Sequence, residues 1–366
     1  MRKSDNTRDE AKVRNPIKSK IIRKLLLRGR YGSAKDSIFS SERAPFNEDS
    51  LNQLKALHPF ESFYSTPPDF SYWSKNPVTN AELLKLILHL PFGKAPGPSG
   101  ISFDLLKSVV RQSSLIVDDL VSFYNNILCG KIIPPRQFTA SRLIALKKPN
   151  GKIRPIAVGE SLYRLMASLV FNGVSNKASA YFSPFKYGIR TIDGASVAAL
   201  TSDLFFNHNP ENCIFNLYLK NAFNSVSRNS INKELLNNFV EVLPFFHNFY
   251  SGRSDLVFNE FNLFSSSGVK QGDPLGPFLF CLAIHPILII LKERFPTLEI
   301  VAYIDDVSLI APIDIIHEVA PLVADLYAEI GLELNAAKCF LISNDDLSLK
   351  IKERHSDGPR LSFNSY

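Results

Sequence analysis

Apolar residues recur every three to four positions over residues 81–89, 103–111 and 115–128, the spacing of helices with one buried face. Thr79 stands at the N-cap position of the first of these, with Glu82 in its first turn. Residues 91–100 (PFGKAPGPSG) are broken by Pro and Gly and read as a loop. From Arg142 the pattern changes. Residues 142–148 and 152–158 read as strands around Asn150-Gly151, a strong hairpin signal. Helices are predicted over 162–174, 196–206 and 228–240, and a strand over 213–219. A second Gly- and Pro-rich run, residues 268–277, precedes an apolar helix over 278–294. Two short apolar strands, 300–303 and 307–310, flank Ile304, Asp305 and Asp306. A helix over 315–330 and a strand over 339–342 follow. Strands separated by helices predict a mixed α/β fold.

The chain has 366 residues, 45% hydrophobic and 21% charged, which suits two or three domain-sized globular units. Cys129, Cys213, Cys281 and Cys339 are too few and too far apart for a disulfide framework, and no CxxC pair suggests zinc. The apolar run 278–291 is short for a bilayer span and contains His285 and Pro286. No signal segment is expected at the start. These features predict a reduced intracellular protein, nuclear or cytoplasmic, with no membrane partner.

Charge is unevenly placed. Residues 1–30 hold eleven Lys or Arg and three acids, an excess of +8 against +7 for the whole chain, so the remaining residues sum to −1. The basic pI therefore belongs to an N-terminal arm, which suits contact with RNA phosphates. The alternative for such an arm is a solvated tail.

Tyr303-Ile304-Asp305-Asp306 is the sharpest chemical signal. Adjacent carboxylates repel, and a divalent cation would relieve that repulsion. Two such ions clamp the attacking and leaving oxygens of phosphoryl transfer. An isolated motif of this kind is more often a solvated acidic turn. The Gly-rich run at 268–277 lets backbone approach a nucleotide closely. Asn150-Gly151 sets Lys148 and Arg154 on paired strands, where they would clamp a triphosphate.

In this order the segments resemble a reverse transcriptase of the non-LTR retrotransposon type. Residues 92–101 look like the opening segment of those enzymes and 142–158 like the fingers hairpin. Lys186-Tyr187-Gly188 resembles the short segment before the palm. Residues 268–277 are similar to the nucleotide and template grip, 303–306 to the catalytic hairpin, and 331–335 with Lys338-Cys339 to the segment after it. The resemblance covers roughly residues 80–345. It implies a right-hand polymerase: fingers and a palm of mixed, mainly antiparallel strands packed on helices, with the thumb absent or incomplete. The expected divisions are a basic arm (1–30), a linker or lead-in (31–78), fingers with the start of the palm (79–210), the palm (211–345) and a tail (346–366).

The resemblance also implies roles. Asp305 and Asp306 would be catalytic and hold Mg²⁺ or Mn²⁺, two ions in a complete site. Lys148, Arg154, Phe223, Gln271 and Gly272 would bind the nucleotide, Phe223 by excluding a ribose 2′-hydroxyl. Lys338 would neutralise phosphate or protonate the leaving pyrophosphate. The partners would be an RNA template, a DNA primer and dNTPs; the sequence is silent on oligomeric state. One departure matters. The first palm strand of the family carries a metal-binding aspartate four residues before an Ala-Phe pair, and here that position is Tyr218. No Asp or Glu occurs over residues 212–233 to replace it. A phenol with a pKa near 10 is a poor Mg²⁺ ligand at neutral pH. The expected result is a weak or inactive polymerase, or a non-enzymatic remnant that keeps the fold and binds nucleic acid.

Overall fold

A computed structural model describes residues 42–63, 67–148 and 150–343, with Arg23, Leu27 and the strand Asn364–Ser365. The basic arm and the tail otherwise lie outside the described residues. The chain divides into two compact units, Met1–Pro45 with Ala145–Arg154, and Phe46–Ile144 with Pro155–Tyr366.

The strands are β1 (Ser141–Lys147), β2 (Ile153–Gly159), β3 (Asn212–Leu217), β4 (Leu219–Lys220), β5 (Ser254–Phe258), β6 (Phe261–Ser265), β7 (Glu299–Tyr303), β8 (Asp306–Pro312), β9 (Glu333–Leu334), β10 (Phe340–Ile342) and β11 (Asn364–Ser365). They form a four-stranded sheet β2-β1-β5-β6, a five-stranded sheet β11-β10-β3-β8-β7 and a pair β4-β9.

In the first unit, the tip of the β1–β2 hairpin is closed by Lys148 N–H donating to Lys152 O at 2.7 Å, with Gly151 at φ 77°. A short bridge joins Arg43 to Leu146, and Ala44 N–H donates to Ala145 O.

In the second unit, the five-stranded sheet is antiparallel through β10-β3-β8-β7. Its core-facing side rests on the helix Gly276–Arg294, which has twelve buried residues. Gly276–Arg294 is long and apolar enough to cross a membrane by length and composition, but most of it is buried in the protein. The run of Phe, Leu and Ile on all its faces is that of a central core helix. The opposite face of the sheet is covered by the helix Gly194–His208, through Ala198 against Ile214, Val301 and Ile310.

Several elements depart from the expectation. The helix starting near 162 runs Ser161–Phe182, well past Val174, because its buried face continues through Ser175, Ala178 and Phe182. The segment expected as a linker contains helices Glu48–Ala56 and Ser71–Lys75. They bury Leu51, Leu54 and Trp73, and the indole of Trp73 donates to Glu241 O at 2.8 Å. The helix Leu243–Tyr250 and the hairpin β5–β6 had no predicted counterpart.

Candidate active site

The paired carboxylates lie at a tight hairpin. Tyr303 pairs with Asp306, so only Ile304 and Asp305 form the turn, and Asp306 already belongs to β8. Ile304 sits at φ 57°, a left-handed conformation that costs a β-branched residue on the order of 1–3 kcal/mol. Surrounding packing holds it there. Tyr187 N–H donates to Ala302 O and Ala302 N–H to Phe185 O, both at 2.8 Å, which adds residues 185–187 along β7. The Cys281 thiol reaches Ile304 O at 3.8 Å from below. Gly188 then lies directly against the turn: a Cβ there would stand 2.6 Å from Ile304 Cγ1 and 2.8 Å from Ile304 N. Gly188→Ala is therefore expected to lower stability by about 1–3 kcal/mol, as overpacking does. The check is the denaturant midpoint; an unchanged midpoint would mean that the segment and the turn move apart freely.

Tyr218 reaches the same place from β3. The register of β3 on β8 ends with Leu217 opposite Val307, so Tyr218 and Asp306 are the next residues along. Ser308 donates to the Asn216 side chain at 2.6 Å across the strands. Tyr218 is thus the residue that follows this pairing at the Asp306 end of the strands. Beyond Leu217 the backbone turns to the segment after β9. Tyr218 O accepts from Asn335 N–H at 2.7 Å, and Tyr218 N–H donates to Cys339 Sγ at 3.3 Å. The Lys338 ammonium sits 4.3 Å over the Tyr218 ring, a cation–π contact. Partial desolvation lifts the Asp306 carboxyl above the ordinary carboxylate range. Among the described residues no three His, Cys, Asp or Glu side chains gather as a metal cage.

The glycine-rich grip adjoins this site. Gly268 (φ 59°) packs on the turn after β4, where a Cβ would meet Phe223 O at 2.3 Å, and Val269 N–H donates to Phe223 O at 2.7 Å. Phe223 is half-buried and stacks on Phe280 with centroids 5.1 Å apart. Gln271 O accepts from Ala157 N–H on β2 at 2.7 Å, and Gly272 (φ 116°) lies so close that a Cβ would stand 2.6 Å from Ala157 O. The structure thus joins Tyr218, Lys338, Asp305 and Asp306 at one end of the sheet, and Phe223, Gln271 and Gly272 around one loop. Lys148 and Arg154 belong to the first unit, at and beside its hairpin tip.

Sequence reasoning missed the buried charges behind these elements. Lys186 is buried beside β7, where it bridges Ala302, and burial pulls its ammonium down to about 8. Lys270 is likewise buried and pulled down to about 8, and Arg228 to about 10. Lys186 and Lys270 lie inside segments singled out for other reasons, and Arg228 carried no signal at all.

An antiparallel sheet with two carboxylates at a hairpin, backed by a core helix and flanked by a glycine-rich grip, is the palm of a nucleic-acid polymerase. The chain belongs to the reverse transcriptase (RNA-dependent DNA polymerase) family, whose model matches residues 146–355. The relatives it matches are proteins of retrotransposable elements. It is 26% identical over 283 residues to the retrotransposable element SLACS 132 kDa protein of Trypanosoma brucei gambiense, covering 71% of this chain and 22% of that protein. It is 27% identical over 273 residues to the Pol polyprotein from the type-2 retrotransposable element R2DM of Drosophila melanogaster, covering 68% and 25%. A type-1 R2 Pol polyprotein of Popillia japonica is 26% identical over 239 residues, covering 57% and 33%. The chain thus spans between a fifth and a third of these relatives. The family generally uses divalent metal ions. The donors here are two carboxylates and a phenol under an ammonium, which do not fit a two-ion site.

Proposed function

We propose that this chain is a reverse transcriptase domain that keeps the polymerase scaffold and its surfaces for RNA template, DNA primer and dNTPs, but has lost efficient RNA-templated DNA synthesis. The observation that carries this reading is Tyr218, one residue past the last β3–β8 pair as Asp306 is on the other strand, with Lys338 over its ring. Asp305 and Asp306 would still attract Mg²⁺ or Mn²⁺, but no third carboxylate shares the ions. Gln271 and Gly272 present the nucleotide surface, with Phe223 beside it. Lys148 and Arg154 supply phosphate contacts. Four free cysteines support an intracellular setting.

Retained binding is tested directly. The chain is expected to bind a preformed RNA–DNA hybrid in fluorescence anisotropy, with affinity that falls steeply as salt rises. If residues 1–30 are the electrostatic contact, deleting them flattens the log–log slope by about 0.7–0.9 for each phosphate that the arm neutralises. An unchanged slope would assign the contact to the folded body. Absence of hybrid binding at low salt would overturn the proposal.

A further inference from the structure

Behind the grip loop lies a set of buried charges that the palm chemistry does not use. Asp273 is buried and accepts hydrogen bonds from the hydroxyls of both Tyr163 and Tyr250, while its other oxygen accepts from Leu275 N–H at 2.9 Å. The Lys270 ammonium donates to Thr139 O at 3.0 Å and lies over the rings of Tyr163 (5.0 Å) and Tyr250 (5.8 Å). Arg228, 1% exposed, donates to Gly268 O at 3.0 Å, to Tyr250 O at 3.0 Å, to Gly252 O at 2.9 Å and to Ser265 Oγ at 3.1 Å. One anion and two cations therefore brace the loop from both ends.

Stability alone is a poor reason for this arrangement, since replacing buried ionic groups by apolar ones of equal volume is often neutral or better. What the charges do is fix backbone. Residues 267–270, 273, 275 and 276 are buried, while Gln271 is half-buried and Gly272 exposed. Among the described residues the Gln271 side-chain amide makes no hydrogen bond. A rigid loop thus offers one unengaged amide and one bare glycine at its surface.

We propose that Tyr163, Tyr250 and Asp273 are positioning residues, which hold Gln271 and Gly272 in the geometry that receives a nucleoside triphosphate. This rests on the polymerase reading above. Tyr163 comes from the long helix Ser161–Phe182 and Tyr250 from the end of Leu243–Tyr250, so two elements far apart in sequence aim hydroxyls at one carboxylate. Removing a hydroxyl takes away the loop's anchor without touching its surface.

The test uses the full chain, the single variants Tyr163→Phe and Tyr250→Phe, and the double variant. Three quantities are measured with Mg²⁺ present: affinity for an RNA–DNA hybrid with a dideoxy-terminated primer, affinity of the matching dNTP on that hybrid, and amide hydrogen exchange. The double variant is expected to lose at least tenfold in dNTP affinity, with hybrid affinity within about twofold, because phosphate contacts dominate the latter. Exchange should quicken at least tenfold over residues 268–274 and little elsewhere. A merely structural role would raise exchange throughout the core and lower both affinities together, which would overturn the proposal. So would unchanged dNTP affinity beside a loosened loop. If the double variant fails to fold, each single variant keeps one hydroxyl on Asp273 and decides the question by the same criteria. Loss of dNTP binding by the unmodified chain would sink the polymerase reading itself, and this inference with it.

Discussion

With Mg²⁺ and dNTPs, the unmodified chain is expected to extend a primer on an RNA template on the order of 10³-fold more slowly than its Tyr218→Asp variant. The figure follows if the missing carboxylate supports about 4 kcal/mol of transition-state stabilisation. Tyr218 lies one residue beyond the last β3–β8 pair, so an aspartate there would stand next to Asp306. The change is also sterically easy, because Tyr218 is 37% exposed and its backbone is already fixed by Asn335 and Cys339. Short extension on a preformed hybrid at high enzyme concentration is the suitable assay, since it makes little demand on processivity. Tyr218→Asp with Asp305→Asn is the control. Robust extension by the unmodified chain would refute the claim that Tyr218 disables the site. Equal activity of the single and double variants would remove Asp305 from the chemistry.

Acid is expected to destabilise this fold through one residue in particular. His285 is 2% exposed inside the central helix, among the rings of Tyr181, Phe182 and Phe185 at 4.6, 5.3 and 6.0 Å. Burial, and then the nearby Lys186 ammonium, pull its imidazole down to about 4. Its folded pKa is below the unfolded value near 6.5, so the unfolded chain binds the extra proton first. The neutral-histidine contribution is complete above about pH 6.5 and is lost as pH falls through about 4. At about 1.4 kcal/mol per pH unit, the loss comes to roughly 3.5 kcal/mol. Denaturant unfolding of the wild type and His285→Phe across this range is the check. The wild type should fall more steeply; parallel curves would show that other groups carry the acid response.

The local parts of this fold were legible because their causes are local. The capping box at Thr79 and Glu82 forms as the residues dictate, each side chain reaching the other's backbone N–H. Asn150-Gly151 makes its turn, and the apolar strands around Ile304 and Asp305 pair as a hairpin. The hairpin β5–β6 was missed because its turn is Asn259-Glu260 rather than Asn-Gly, with Asn259 taking φ 53°. The far end of the helix Ser161–Phe182 was missed because the polar stretch 172–177 breaks the apolar pattern while tertiary packing still buries one face.

The family, the order of the motifs and the identity of the odd residue are readable from the amino acids alone, since each is carried by a contiguous run of side chains. What surrounds them comes from the folded arrangement. Nothing in the spacing tells that Lys338 will stand over Tyr218, 120 residues away along the chain, because a cation–π contact across β4 and β9 depends on how strands pair and not on propensity. Nor does it tell that Asp273 will meet Tyr163 and Tyr250 in the interior. Burial makes an unpartnered polar group costly, so Asp273, buried in the interior, is held by the hydroxyls of Tyr163 and Tyr250.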